Sequence, residues 1–241
     1  MASLLPMNSE SELEGRHVVV TGAAGGLGPA VVEALLAAGA TCHLPLRGDG
    51  GKGGENARRD ARIVNVAGVD LTDEGAVRAF YASRPPLWAS VHVAGGFRAA
   101  PILDTTLADL RGQLELNLTT AFLCCREAAR NMRAGGRGGR IANVSSRAAA
   151  VPAGGAIAYT VAKAGVAALT GALADELRGD GILVNAVVPS IIDTPVNRAA
   201  MPAADHARWP KPAEIAAAIA WLISPRNTVT SGALVPVYGS A

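Results

Sequence analysis

Tyr159 and Lys163 stand four residues apart in a segment with helical periodicity, AIAYTVAKAGVAALTGALADEL, so we expect both side chains on one helix face. The chain of 241 residues contains three tyrosines and three lysines. Chance would give only about 0.04 such ordered pairs in a chain of this composition. A phenol has a reference pKa of about 10, and a neighbouring ammonium favours its ionised form. The pair therefore predicts acid–base catalysis by Tyr159.

A glycine-rich turn near the N-terminus predicts a site for a dinucleotide. The predicted buried strand 16–20 leads into the sequence TGAAGGLG of residues 21–28, and a helical pattern follows from about Pro29. In such a strand–turn–helix unit, glycines let the backbone approach a pyrophosphate, which the N-terminus of the helix attracts. The alternative is a turn without a ligand, since glycine-rich turns are common in a chain with 28 glycines.

Strand-like and helical segments alternate along the rest of the chain. Seven β-rich runs are predicted, at 16–20 and near 41–46, 62–66, 88–94, 140–145, 182–188 and 233–238. Helical patterns between most of them predict an α/β, Rossmann-type doubly wound fold, with a seven-stranded parallel sheet flanked by helices on both faces.

No linker divides the chain, so we expect a flexible leader over residues 1–14 and a single NAD(P)-binding Rossmann domain, which also holds the catalytic site, over 15–241. Residues 47–61 are the weakest part of the pattern. Five glycines there make a crossover helix doubtful, and a mobile loop is at least as well supported.

The composition argues against several classes of protein. Twenty-two basic and 20 acidic residues nearly balance, which disfavours nucleic acid or an anionic membrane as a partner. We expect no transmembrane helix, because there is no uninterrupted apolar run of about 20 residues. We expect no secretory signal either, because the first 15 residues lack a basic region and a long apolar run. Three cysteines suit neither a disulfide framework nor a metal site, so we predict no metal and a reducing, cytoplasmic location.

The spacing TGxxxGxG, the later YxxxK pair and two further motifs resemble the short-chain dehydrogenase/reductase family over about residues 14–239. The resemblance implies that NAD(P) contacts the glycine turn, the ends of strands three and four, the catalytic pair and the segment after strand six. The residues that it implies for cofactor binding are Thr21, Gly22, Gly25, Gly26, Leu27, Gly28, Asp70, Leu71, Ala94, Gly95, Tyr159, Lys163, Pro189, Ile192 and Thr194.

The resemblance also implies a catalytic set of Asn117, Ser146, Tyr159 and Lys163. Ser146 precedes Tyr159 by the family's spacing for the serine that hydrogen-bonds the substrate oxygen, and Ser145 is the alternative. Asn117 matches the helix asparagine that holds a water linking the lysine to solvent. Tyr159 would exchange the proton with the substrate oxygen, and Lys163 would bind the nicotinamide ribose. The implied activity interconverts a carbonyl and a secondary alcohol in a small-molecule substrate.

Strand two ends at Arg47, where an NAD-binding relative would have an acid for the ribose hydroxyls. An arginine there can bind a 2′-phosphate through charge-assisted hydrogen bonds. The sequence therefore favours NADP(H) over NAD(H). The alternative is a solvated arginine at the start of a loop, and both Asp49 and the lack of a basic residue at Gly25 favour it.

Two segments depart from the family's pattern. The chain reads His92-Val93-Ala94-Gly95 where the family usually has Asn-Asn-Ala-Gly, and we expect His92 to be a hydrogen-bonded core residue rather than a base. Ser190 replaces a glycine after Pro189. Within residues 195–211, which would lie over the substrate, Trp209 fits two interpretations equally: it caps an apolar or ring-bearing substrate, or it packs between helices.

The sequence leaves the substrate open. The run 94–97 resembles a loop of dihydropteridine reductases, and a 3-oxoacyl reductase is a further alternative, which Asp180 before Gly181 disfavours because carrier-dependent relatives have a basic residue there. A non-catalytic NAD(P)-binding regulatory or scaffold protein is an alternative of another class. Helices near 106–133 and 156–178 are apolar around much of their circumference, which together with the resemblance implies a homo-oligomer, either a dimer or a tetramer.

Overall fold

The structure is a computed structural model that describes residues 12–48 and 60–240. Its strands are β1 (His17–Thr21), β2 (Thr41–Pro45), β3 (Ile63–Val66), β4 (Ala89–His92), β5 (Gly139–Val144), β6 (Ile182–Pro189) and β7 (Leu234–Val237). Its α-helices are α1 (Gly28–Ala37), α2 (Glu74–Ala82), α3 (Leu107–Gln113), α4 (Thr120–Gly135), α5 (Arg147–Ala150), α6 (Ile157–Glu176), α7 (Pro195–Ala200) and α8 (Pro212–Ile223). A π-helical turn, Leu114–Thr119, joins α3 to α4.

The strands form one parallel sheet in the order β3-β2-β1-β4-β5-β6-β7. The seven strands that the sequence predicts are all present, within one or two residues of their expected ends, and the predicted doubly wound architecture is confirmed. The chain reverses its direction of winding between β1 and β4. In sheets of this kind ligands bind outside the carboxyl ends of the strands at that reversal.

Helices cover both faces of the sheet. On one face α1 packs against α8, and buried side chains such as Val31, Leu35, Ile215 and Ile219 form the core with β1, β2 and β5. On the other face α2, α4 and α6 contribute a second core. Burying each aliphatic side chain of this size stabilises the fold by about 1.5–3 kcal/mol. The two layers hold the strand ends, and hence the site, in fixed positions.

Residues 12–14, which the sequence analysis assigns to the flexible leader, pack on the domain. Leu13 is 1% exposed and its backbone N–H donates to the Ala38 carbonyl. The Glu12 carboxylate accepts hydrogen bonds from Ser224 and Arg226. Burial of the Leu13 side chain holds the residues beside it in place. Three residues are too few to show a periodic pattern, so the sequence alone does not predict this contact. Residues 1–11 and most of the glycine-rich run 47–61 lie outside the described residues.

Helix α6 is apolar and long enough to cross a membrane by length and composition, with a mean hydropathy of 1.4 over its best window. In this structure α6 packs against β6 and carries the buried Lys163, so it is part of the helical layer on one face of the sheet. Only 33% of that window is buried within the chain. The expectation that the chain has no transmembrane helix stays a prediction.

Candidate active site

The predicted site residues gather at the carboxyl edge of the sheet, on both sides of the reversal between β1 and β4. The glycine turn follows β1, and the Ala94–Gly95 loop follows β4. Ser146 follows β5 by two residues, and Pro189 is the last residue of β6. Because all these strands run parallel, their carboxyl ends meet along one crevice.

The turn after β1 closes tightly against the loop after β4. Gly22 has a φ of +68°, and a Cβ there would lie 2.6 Å from the Ala94 backbone N. Only glycine satisfies both the left-handed backbone and this close approach. The Ala94 N–H in turn donates to the Thr21 hydroxyl over 3.2 Å. The sequence pattern alone could not show that these two loops touch.

The N-terminus of α1 has the features that a pyrophosphate needs. Leu27 caps the helix without a side-chain hydrogen bond, so no side chain occupies the first N–H groups. A Cβ at Gly26 would lie 2.9 Å from Cγ2 of Thr194, so the turn also approaches the segment after β6. A glycine cradle beside an uncapped helix end fits the phosphates of a dinucleotide.

Lys163 is buried, and its ammonium meets a carbonyl group rather than a carboxylate. It is 5% exposed, and Nζ donates a hydrogen bond of 2.8 Å to the Val144 carbonyl. Nζ lies 5.9 Å from the centre of the Tyr159 ring. Burial lowers the pKa of Lys163 to about 8, because the charged form loses solvation. The predicted shared helix face is present.

Tyr159 and Ser146 stand on the open side of this pair. Tyr159 is half-buried, and burial raises the pKa of its phenol, whereas the hydroxyl of Ser146 acts in the opposite direction. Ser146 also begins α5 by accepting a hydrogen bond of 3.3 Å from the Ala148 N–H. Ser145 is 1% exposed and donates to the Lys163 carbonyl over 2.8 Å. Ser145 therefore supports α6 from inside, which leaves Ser146 as the hydroxyl beside Tyr159.

Asn117 lies on the π-helical turn, a geometry that is frequent at functional sites. It is 1% exposed, and its side-chain amide forms a pair of hydrogen bonds with the Gly96 backbone, at 3.2 and 3.0 Å. A Cβ at Gly95 would lie 2.6 Å from Oδ1 of Asn117 and 3.3 Å from Nζ of Lys163. The Gly95 backbone therefore lies close to both the Asn117 amide and the Lys163 ammonium.

The part of the crevice that follows β2 and β3 contains Arg47 and Asp70. The Arg47 guanidinium donates to the Asp70 carboxylate over 2.9 Å, and the two side chains are 74% and 39% exposed. The Thr72 backbone N–H and hydroxyl bind the other carboxylate oxygen. Hydrogen bonds from Thr72 and from Arg47 lower the pKa of Asp70. The partly buried Leu71 side chain packs against the second core.

The segment after β6 folds back on itself. The Thr194 N–H and the Asn197 side-chain amide both donate to the Ile192 carbonyl, over 2.8 Å in each case. The Thr194 hydroxyl caps α7. Ser190, which replaces the family's glycine, donates to the Tyr238 carbonyl over 2.7 Å. These bonds hold the loop that follows Pro189 at the carboxyl edge.

His92 is a core histidine, as the sequence analysis predicts. It is 3% exposed and bonds Ser90 and Asn143 over 2.8 Å each. Burial lowers its pKa to about 4, so it is neutral near pH 7. Asn143 is fully buried and links β5 to Thr170 of α6. The His92–Asn143 bond connects the ends of β4 and β5, where the family's usual asparagines are missing.

Phe97 is an aromatic residue of the site that the sequence analysis did not single out. Its ring meets the Tyr159 ring edge-on, with centroids 4.9 Å apart, yet it is 66% exposed. Its position directly after the Gly95–Gly96 pair was the available signal. Trp209, in contrast, is 6% exposed and packs beside His206, so its side chain does not cap the crevice.

Within the described residues, no group of three histidine, cysteine or acidic side chains is arranged to hold a metal ion. The site instead combines a glycine cradle with a tyrosine, a lysine and a serine at the switch point of a parallel sheet. That arrangement is typical of oxidoreductases that use a nicotinamide dinucleotide.

Comparisons with known proteins agree with this class. Residues 16–205 match the short chain dehydrogenase family. The chain is 36% identical over 244 residues to a cis-4-hydroxycyclohexanecarboxylate dehydrogenase from Sinomonas cyclohexanicum, covering 93% of this chain and 95% of the relative. It is 31% identical to a 3-oxoacyl-[acyl-carrier-protein] reductase from Aquifex aeolicus, covering 95% and 98%. The crystal structure of an oxidoreductase from Burkholderia thailandensis superposes with a TM-score of 0.84 at 31% identity, covering 93% and 91%.

The chain therefore belongs to the short-chain dehydrogenase/reductase family. It is an NAD(P)-dependent oxidoreductase that interconverts alcohol and carbonyl groups. Membership in this family, among relatives named as dehydrogenases and reductases, favours the enzyme over the non-catalytic scaffold considered from the sequence.

Proposed function

We propose that Tyr159 is the general acid and base of the reaction, Ser146 positions the substrate oxygen, and Lys163 supports both the phenol and the nicotinamide ribose. When bound, a nicotinamide cofactor would supply or accept the hydride. The observation that carries this proposal is the buried Lys163 ammonium beside Tyr159: Nζ donates to the Val144 carbonyl, and none of the described carboxylates pairs with it. Its two other protons are available to a ribose hydroxyl.

The direction of proton flow follows from these contacts. In reduction, Ser146 donates a hydrogen bond to the carbonyl oxygen and Tyr159 transfers its proton to the same atom. The Lys163 cation favours the phenolate that remains, because an opposite charge stabilises the ionised form. Asn117 is bonded to Gly96 and separated from Lys163 only by Gly95, so its turn is placed to hold a water on the way to solvent.

The cofactor proposed is NADP(H), bound by the residues predicted from the sequence. Arg47 supports it, since its exposed guanidinium lies at the end of β2 with donors left for a 2′-phosphate. Asp70 keeps Arg47 oriented towards the crevice through the 2.9 Å ion pair. For an NAD(H) enzyme we would expect a carboxylate in place of Arg47.

The substrate proposed is a small molecule with an apolar or cyclic body. Three apolar side chains on the segments that follow β4, β5 and β6 are well exposed: Phe97 at 66%, Val151 at 56% and Ile191 at 41%. The relative from Sinomonas cyclohexanicum is named for a ring alcohol, which agrees with such a wall. A 3-oxoacyl reductase that acts on a carrier-bound substrate is less favoured. Asp180 forms an ion pair with Arg133 and neutralises its positive charge, which an acidic carrier protein would need for binding.

We also propose a homo-oligomer, a dimer or a tetramer. Phe122 on α4 and Val161 on α6 are 45% and 49% exposed, and most of the apolar window of α6 is uncovered within one chain. A second copy would bury these surfaces. A monomeric mass by light scattering at micromolar concentration would refute this.

Three buried free thiols, Cys42, Cys124 and Cys125, support a reducing, cytoplasmic location.

The experiment that tests the function is a panel of ring and open-chain ketones, with NADPH or NADH oxidation as the readout. We expect at least one ketone to be reduced by the wild type. Tyr159→Phe should lower its turnover about 10²–10⁴-fold, the usual contribution of a general acid, while NADPH still binds. A Tyr159→Phe variant with near-normal turnover would overturn the proposal. Tyr81→Phe is the matched control, because its hydroxyl bonds Ser90 in the core, away from the crevice.

A further inference from the structure

Arg147 directly follows Ser146 and is the first residue of α5. It is half-buried, and among the described residues its guanidinium forms no ion pair and no hydrogen bond. Two other arginines of the chain differ in this respect. Arg98 pairs with Asp109 over 2.7 Å, and Arg198 binds Asp193 through both of its carboxylate oxygens. Among the described residues Arg147 is therefore a cation without a partner, next in sequence to the serine proposed to bind the substrate oxygen.

The Arg147 side chain lies across the end of β6 towards β7. Its guanidinium carbon is 5.2 Å from the centre of the Tyr238 ring. The Tyr238 carbonyl accepts the Ser190 hydroxyl, in the loop that follows β6. Tyr238 and Ser190 therefore fix a platform under Arg147, on the same carboxyl edge that carries Ser146 and the residues proposed to face the nicotinamide.

A cation–π contact at this distance does not use the N–H groups of the guanidinium as hydrogen-bond donors, so they stay free for another partner. Those donors form a planar fork that matches the two oxygens of a carboxylate. The carboxylate of Asp193 stands on the same loop as Ser190, but Arg198 already binds it. The positive charge of Arg147 is thus available to an anionic group that enters the crevice with the substrate.

We propose that Arg147 is a specificity-determining residue that binds a carboxylate of the substrate, so that the preferred substrates are keto acids and hydroxy acids. The reacting oxygen would lie between Ser146 and Tyr159, and the carboxylate would lie towards Tyr238. This inference rests on the proposed function, because it assigns the substrate class of the same site.

Kinetics with a matched pair of substrates test the inference. We would measure reduction of 4-oxocyclohexanecarboxylate and of its methyl ester by the wild type, Arg147→Gln and Arg147→Lys. Loss of a charge-assisted hydrogen bond should lower kcat/KM for the acid by about 10- to 100-fold in Arg147→Gln, mainly through KM, and leave the ester nearly unchanged. Arg147→Lys should recover part of the preference, since it keeps the charge but not the fork.

The control is Arg137→Gln, which removes the same charge from an exposed arginine at the opposite, amino-terminal end of the sheet. It should leave the acid-to-ester ratio unchanged. Three results would overturn the inference: a wild type that does not distinguish acid from ester, an Arg147→Gln variant with the wild-type ratio, or equal losses for both ketones.

Binding separates this inference from the proposed function. Calorimetric titration of cyclohexanecarboxylate and of its methyl ester into the protein with NADP⁺ requires no turnover. We expect the acid to bind the wild type at least tenfold more tightly than the ester, and Arg147→Gln to remove the difference. Equal dissociation constants for acid and ester refute the role of Arg147 even if ketones are reduced. Failure to reduce any ketone, with the binding preference intact, refutes the proposed function instead.

Discussion

The guanidinium of Arg47 donates a hydrogen bond of 2.9 Å to Oδ2 of Asp70. The sequence predicts a separate role for each in binding the adenosine end of the cofactor, and the structure shows that they are paired with each other. Because Thr72 saturates the other oxygen of Asp70, this carboxylate acts as a fixed support for the arginine. The pair leaves part of the guanidinium fork free for a phosphate.

Arg47→Ala should change the preference between the two cofactors. Loss of a charge-assisted contact to the 2′-phosphate should lower kcat/KM for NADPH about 10- to 100-fold and change the value for NADH little. Steady-state kinetics with both cofactors and one ketone substrate measure this. Arg78→Ala, at an arginine that pairs with Glu74 on α2, is the matched control. Equal losses with NADPH and NADH would show that Arg47 does not read the phosphate.

The two neighbouring serines should separate catalysis from stability. Ser146→Ala removes the donor proposed to face the substrate oxygen, and kcat/KM should fall about 10²–10³-fold, as for loss of one oxyanion donor. Ser145→Ala removes the buried bond to the Lys163 carbonyl and should lower the free energy of unfolding by about 1 kcal/mol, with a smaller effect on kcat. Kinetics and urea unfolding of both variants measure these effects. The reverse assignment would hold if Ser145→Ala were the inactive variant.

Lys163 should make the stability of the protein without cofactor depend on pH. Its pKa is about 8 in the fold, against about 10.4 for an unfolded lysine. The unfolded state therefore binds more protons between these values, and stability from this group rises with pH across that window. The free energy of unfolding of the wild type, relative to that of Lys163→Met, should therefore increase as the pH is raised from about 8 to about 10. Urea unfolding at several pH values measures this, with Lys211→Met as an exposed-lysine control. A difference that is constant with pH would contradict the prediction.

Gly95→Ala should damage both the fold and the site. The new Cβ would meet Oδ1 of Asn117 at 2.6 Å and Nζ of Lys163 at 3.3 Å. We expect overpacking to cost about 1–3 kcal/mol of unfolding free energy and turnover to fall with it. Gly112→Ala is the control, because nothing lies within 4 Å of a Cβ there and α3 should become more stable by about 0.5–1 kcal/mol. Unchanged turnover in Gly95→Ala would show that Asn117 and Lys163 tolerate displacement.

The sequence by itself determined the seven strands, the glycine turn and the common helix face of Tyr159 and Lys163. These features depend on local periodicity and on residues at most a few positions apart, so the chain order carries them directly. The parallel character of the sheet also follows from the alternating pattern, because strand–helix–strand units place their two strands parallel, whereas the order of the strands was seen only in the structure. The composition, with three tyrosines and three lysines, made the catalytic pair stand out.

Tertiary structure alone decided which groups meet across long distances in the chain. The spacing to Tyr159 favours Ser146 over Ser145, but only the structure shows that the Ser145 hydroxyl points inward to the Lys163 carbonyl and that Ser146 is left at the crevice. Leu13 joins the core, Trp209 is buried, and Arg147 reaches Tyr238, 91 residues later, through packing that no local pattern encodes. Burial and pairing are properties of the assembled layers, because each depends on surfaces supplied by several remote segments.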